Sequence, residues 1–312
     1  MNIMQNKGVL IILSFIIIVL ISAFGHQINV YFDNHAKKDE FELIGKFLQP
    51  DNYHVNKKPT IWVHSRNELH IPYVQCCIDC IKKYNEEFFT IRVINDESFN
   101  QLIPFWKTDK NRRNVSFDRM YGMTLLLYLY GGIVVPHTFL CMKTLHFIYK
   151  DCIQSTIPFL FENNNKFDNK TSGPLHYLLY VPDITFIGSV KDNIIIKEML
   201  HYMTNKPDYL FTGDIHYWCL KQQKEKKMIL LDGSLIGVKD RQQKQITIDD
   251  WMINKEVMVV DGCLGIFIPH DQMEKRMQYR YFLSLDIQDI LALSIALSAF
   301  FSKAINDIGS ST

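Results

Sequence analysis

The residues best suited to chemistry gather around one short segment, Tyr128–Leu140, YLYGGIVVPHTFL. Gly131 and Gly132 interrupt what reads as a helix, and Ile133–Val135 read as a short buried strand. Pro136, His137 and Thr138 therefore emerge at the strand's carboxyl end. A histidine there can neutralise or hydrogen-bond an anionic group near neutral pH. His64 and Arg66 close an earlier strand-like run, and arginine can grip a phosphate through two parallel hydrogen bonds. Asp118 and Arg119 stand in the first turn of the apolar helix, where Asp118 serves either the helix start or a ligand. Proton removal from a hydroxyl needs a carboxylate or a histidine within reach. Glu162 in FLFEN, Asp183 in YVPDITFIGS and Asp214 in FTGDIHYW, beside His216, are the candidates. Each of the three also suits a helix cap or a turn.

The elements that must position these groups alternate. TIWVH (Thr60–His64) reads as a strand, and PYVQCCIDCIKKY as a helix with Pro72 in its first turn. FFTIRVI (Phe88–Ile94) is the next strand, and NDES caps a short helix ending near Pro104. A polar loop, Lys107–Asn114, leads to the helix SFDRMYGMTLLLYLY, with Ser116 as its cap and Gly131 as its stop. The alternation predicts an α/β fold, a parallel sheet covered by helices. Right-handed crossovers make the first three strands adjacent and parallel, with His64, Asn95 and Pro136 on one edge. Further on, IPFLFE, ITFIGS, KMILLD, EVMVV and GIFIP read as strands. Asp192–Tyr202, TIDDWM and the region after Asp271 read as helical, and LDGS as a hairpin turn.

The whole chain sets the bounds. Its 312 residues carry a net charge of +1 with no basic stripe, which argues against a nucleic-acid partner. Residues 1–7 form a polar tail, and Gly8–Gly25 is an uninterrupted apolar run. That length fits the ~17–25 residues of a membrane span better than the ~7–15 of a signal-peptide core. An uncleaved signal-anchor is the preferred reading over a signal peptide cut near Ala23 or Gly25. Residues 26–58 then form a stem, 59–280 a globular head and 281–312 a C-terminal helix and tail. Ile290–Phe301 is too short to cross a bilayer and reads as packed on the head rather than on the membrane surface. Asn114 and Asn169 are glycosylation acceptors, consistent with a single-pass type II protein and a lumenal head. Seven cysteines leave at least one unpaired, and Cys76, Cys77 and Cys80 read as buried helical residues, not zinc ligands.

On these residues the chain resembles glycosyltransferases of the GT-A fold that carry a DXD sugar-binding motif, of the initiating α-1,6-mannosyltransferase and capsular-polysaccharide-synthesis kind. PTIWVH resembles their first strand, FFTIRVINDESF the second and LLLYLYGGIVVPHTFLCMKTL the block after the helix. The likeness spans residues 59 to 145 and, more loosely, extends to about 270. The chain also resembles uncharacterised proteins of large DNA viruses with YGG…P-x-[ST]-F blocks. The resemblance implies a GT-A-like head that transfers a sugar from a nucleotide-sugar donor to a glycan or glycoprotein, in an ER- or Golgi-like lumen or at a viral membrane. It implies a mixed sheet flanked by helices, and with the substitutes that the residues above offer, the donor site is expected around His64, Arg66, Asp118, Arg119, Gly131, Gly132, His137 and Thr138. The alternative is a non-catalytic, glycan-binding or structural descendant. The family's helix Asp falls on Met120, its Arg on Met123, and its DXD carboxylates on Pro136 and Thr138. Mn²⁺ or Mg²⁺ is therefore expected only if residues other than Pro136–Thr138 supply the ligands. A hydrolase is disfavoured, because no G-x-S-x-G elbow is present.

Overall fold

The computed structural model describes residues 58–104, 106, 115–165, 178–205 and 211–306, those at 211–214 by their backbone alone. Gly8–Gly25, residues 26–57 of the stem, the Lys107–Asn114 loop and both glycosylation acceptors lie outside the described residues. Among the described residues no helix is long and apolar enough to cross a membrane.

The chain folds as an α/β structure around a mixed six-stranded sheet. β1 (Thr60–His64) is followed by α1 (Pro72–Asn85), β2 (Thr90–Ile94) and α2 (Ser98–Leu102). Then come α3 (Val115–Tyr130), β3 (Gly132–Val134), β4 (Phe139–Cys141), α4 (His146–Ser155), β5 (Phe159–Asn164) and β6 (Tyr180–Ser189). The second half adds α5 (Ile194–Thr204), α6 (Phe211–Lys224), β7 (Ile229–Leu231), α7 (Ile248–Trp251), β8 (Gly265–Phe267), α8 (His270–Lys275), α9 (Ile287–Ala292) and α10 (Ala296–Asn306). The strand order is β2-β1-β3-β6-β5-β7, with β4 and β8 forming a separate antiparallel pair.

β1 is parallel to both β2 and β3, as the alternation predicts, and lies between them. Val135 continues the pairing, its N–H donating to Trp62 O at 2.9 Å. Burial on both faces explains why β1 and β3 read as unbroken apolar runs rather than alternating ones. Ile61, Val63, Ile133 and Val135 share one buried cluster with Tyr73, Val74 and Cys77 of α1. On the opposite face, Trp62 meets Tyr130 of α3, with ring centroids 5.7 Å apart, and donates from Nε1 to Gly131 O at 2.9 Å.

β6 enters antiparallel beside β3, and β5 antiparallel beside β6. Their register jumps between Leu160, opposite Ile187, and Phe161, opposite Asp183, so β6 bulges there. Thr247 and Asp250 form a capping box at the head of α7, as TIDDWM predicts.

Several expectations are corrected. EVMVV (256–260) forms no strand. LDGS is not a hairpin: Asp232 caps a 3-10 turn, Gly233–Ile236, by accepting from Ser234 N at 2.8 Å. α3 already includes Val115, so Ser116 sits inside the helix rather than capping it. Ile290–Phe301 divides between α9 and α10, and Ile290, Leu297 and Phe301 are buried in the same cluster as Tyr73. The boundary at residue 280 thus separates no packing unit. All seven cysteines are free; six are buried and Cys76 is half-buried.

Candidate functional site

A cleft of about 360 Å³ opens at the carboxyl ends of β1 and β3. The strand ends deliver His64 and Arg66 to one side and Pro136, His137 and Thr138 to its floor. One face of α3 contributes Ser116, Arg119, Met120 and Met123. The bulged part of β6 contributes Asp183, Ile184 and Thr185, and α6 contributes His216. His270 and Asp271, just beyond β8, complete the wall.

Two polar networks hold these walls. In the first, the Arg119 guanidinium grips Asp96 through Nε at 2.8 Å and a terminal nitrogen at 2.7 Å. This pair holds the Asp96 carboxyl below its usual range. His64 Nδ1 accepts from the Arg66 backbone N–H at 3.1 Å, which places the ring proton on Nε2. Nε2 lies 2.9 Å from Asp96 Oδ1, yet off the line of the N–H bond, so this buried donor keeps no aligned partner. Burial drives His64 down to about 4, although Asp96 opposes the shift.

In the second network, His137 Nε2 lies 2.6 Å from Glu68 Oε2. His270 Nε2 approaches the same oxygen at 3.6 Å, and His270 Nδ1 pairs with the Tyr73 hydroxyl. Burial raises the Glu68 carboxyl, but its bond to His137 and the proximity of His137, His270 and Arg66 outweigh that and leave it below its ordinary value. Burial also lowers His137, against the pull of Glu68. A carboxylate facing a neutral imidazole follows, with the proton on Nε2 donating to Glu68.

The expected site residues divide. His64, Arg66, Arg119, His137, Thr138 and Asp183 line the cleft together. Gly131 and Gly132 do not: they sit at the opposite, amino end of β3 and are required by the backbone. Asp118 lies on α3 away from the cleft lining. Glu162 does not line the cleft; it is bonded to Lys239 and to Gly233 N. Asp214 lies in α6, and its side chain is outside what the structure describes. Asp183 is in place but engaged: Asn163 Nδ2 donates to one oxygen at 2.6 Å, and Thr185 N and Oγ1 to the other at 2.8 and 2.7 Å. Its carboxylate ties down the β6 bulge.

Glu68, Asp96 and His270 are partners that the sequence reading missed. A signal for His270 was present: GIVVPH (Gly132–His137) and GIFIPH (Gly265–His270) share one pattern. Each strand ends in a proline and delivers a histidine, and both histidines flank Glu68.

A divalent ion of the kind carried by the family that the chain resembles does not fit the described residues of the cleft. Pro136 has no ligand atom, both oxygens of Asp96 hold Arg119, and both of Asp183 hold Asn163 and Thr185. Among the described residues no group of three or more His, Cys, Asp or Glu is arranged to hold an ion. No protein-family model matches the chain, and no curated protein matches it.

Proposed function

We propose that this protein is a glycosyltransferase-like enzyme of the GT-A kind that binds a nucleotide-sugar in the cleft and passes the sugar to a glycan or glycoprotein without a metal ion. One observation carries the reading. Met120, Met123, Pro136 and Thr138, the positions onto which the resemblance puts the family's contact residues, all line the same cleft. They come from α3 and from the end of β3, which nothing but the fold brings together. In place of the charged family residues, Met120, Met123, Val134 and Ile184 offer apolar surface to a base or a sugar face. The proposed head belongs to a membrane-anchored, type II protein, a reading that rests on Gly8–Gly25.

The diphosphate charge falls to Arg66. Its guanidinium is half-exposed on the cleft rim and loosely paired, with Asp271 3.8 Å away. Arg119 is committed to Asp96 and acts by holding the wall. Calorimetry of the full chain with UDP-glucose, UDP-galactose and GDP-mannose, in manganese and in chelator, tests this. The expected result is binding of equal strength in both, weakened about tenfold or more in Arg66→Ala, since a charge-assisted bond contributes roughly 1.5–3 kcal/mol. Binding that requires manganese would overturn the metal-free site. No binding in either condition would favour the non-catalytic descendant.

Glu162→Gln separates structure from site. Its carboxylate meets Lys239 and Gly233 N outside the cleft. The variant is expected to lose about 1–3 kcal/mol in a denaturant titration, with nucleotide-sugar affinity unchanged. A selective loss of affinity would return Glu162 to the site.

A further inference from the structure

We infer that His137, oriented by Glu68, is the general base of the cleft and takes the proton from the hydroxyl that attacks the donor sugar. The inference rests on the transferase reading above and names the residue that would perform its proton transfer.

The geometry is that of an oriented base. His137 Nε2 is held 2.6 Å from Glu68 Oε2. That bond fixes the ring plane and the tautomer, and leaves the lone pair on Nδ1. Nδ1 makes no hydrogen bond among the described residues, and it is not one of the fully buried polar atoms left without a partner. The residue lines the cleft at the carboxyl end of β3. Of the other carboxylates expected as a base, Asp183 holds Asn163 and Thr185, Glu162 holds Lys239, and the side chain of Asp214 lies outside the described residues. His270 has both ring nitrogens in the network, Nδ1 toward Tyr73 and Nε2 toward Glu68.

The chemistry balances. The acceptor hydroxyl gives its proton to His137 Nδ1 as its oxygen forms the bond to the anomeric carbon. The bond from that carbon to the diphosphate oxygen breaks, and the nucleoside diphosphate leaves with the electron pair. The imidazolium so formed is stabilised by Glu68, and no further reactant is needed. The groups that face His137 set its working range. Glu68, from the segment after β1, favours the charged ring, whereas Arg66 and His270 oppose it. Tyr73 of α1 acts on it only through His270.

Three measurements on the full chain in detergent micelles decide the matter. Long-range nitrogen–proton correlation spectra of ¹⁵N-histidine-labelled protein report the tautomer, the His137 signal being the one absent from His137→Gln. An unprotonated Nδ1 at neutral pH is expected; a protonated Nδ1 would overturn the inference without any assay of activity. Release of nucleoside diphosphate from UDP-glucose, UDP-galactose or GDP-mannose, with water as acceptor, reports turnover. His137→Gln keeps a donor toward Glu68 and is expected to slow release by about 100-fold or more, with donor affinity within twofold. Glu68→Gln is expected to slow release and to move the acid limb of the pH–rate profile to lower pH, because the ring loses the charge that supports its protonation. A purely structural Glu68 would leave that limb in place. Donor binding and release undiminished in His137→Gln would overturn the base and leave the transferase reading intact. No donor binding by the wild-type chain would overturn both.

Discussion

Replacing Gly132 with alanine is expected to leave no folded protein. Gly132 has φ +107°, and a Cβ built on it would stand 1.9 Å from Thr60 O. The obstacle is the backbone of β1, the central strand of the parallel trio, so no side chain can swing aside. Left-handed strain alone costs of order 1–3 kcal/mol. Prising β3 from β1 takes the total beyond the ~4–5 kcal/mol that marks exceptional substitutions, against a whole-domain stability of ~5–15 kcal/mol. Gly262→Ala is the control. Its added methyl meets only Leu235 Cδ2, at 3.7 Å, and its φ is not left-handed. Circular dichroism melting curves of the two full-length variants are the measurement. A native-like transition in Gly132→Ala would refute the packing of β3 on β1 described above.

A loss of stability on mild acidification is the second large effect. Burial holds His64 at about 4 in the folded protein, whereas an unfolded histidine titrates near 6.5. The unfolded chain therefore binds the proton first. Stability from this group is complete above pH ~6.5, falls as pH drops toward about 4, and is fully lost below that. The interval corresponds to roughly 3 kcal/mol. Asp96 and Glu68, both held below their ordinary values, lose their contributions as pH falls further still. Denaturant midpoints measured between pH 7 and 4 test this. His64→Asn keeps an oxygen near the position of Nδ1, to accept from Arg66 N, and removes the titrating ring. Its midpoint is expected to be much flatter over that range. An equally steep fall in the variant would assign the acid sensitivity to other groups.

Much of the fold was legible because its signals are local. Hydrophobic period, Pro72 at the head of α1, and the glycine pair after α3 fix where helices stop and strands begin. The handedness of crossovers then makes β1, β2 and β3 parallel neighbours, and places His64 and Pro136 on one edge. Where two outcomes share one local pattern, the reading failed. Asp-Gly in LDGS suits a hairpin and equally an N-cap, and here Glu162 takes the Gly233 N–H and the turn closes as a 3-10 helix. EVMVV has the composition of a strand, yet composition alone does not supply a neighbouring strand to pair with.

The sequence by itself determined the order of elements from β1 to β3, their parallel pairing and the segment whose end enters the cleft, but not the helices His146–Ser155 and Phe211–Lys224. Tertiary structure decided which charged groups meet. Glu68 and His137 are 69 positions apart, Glu162 and Lys239 77, and Tyr73 and His270 197. No spacing rule connects such pairs, because their contact depends on strand order, on the β6 bulge and on which face each residue takes. Lys239 and Gly233 N hold Glu162 outside the cleft lining, and Asn163 and Thr185 engage both oxygens of Asp183. Helical and strand periods are encoded over a few residues. The pairing of buried charges is settled only when distant segments close on one another and each desolvated group must find a partner.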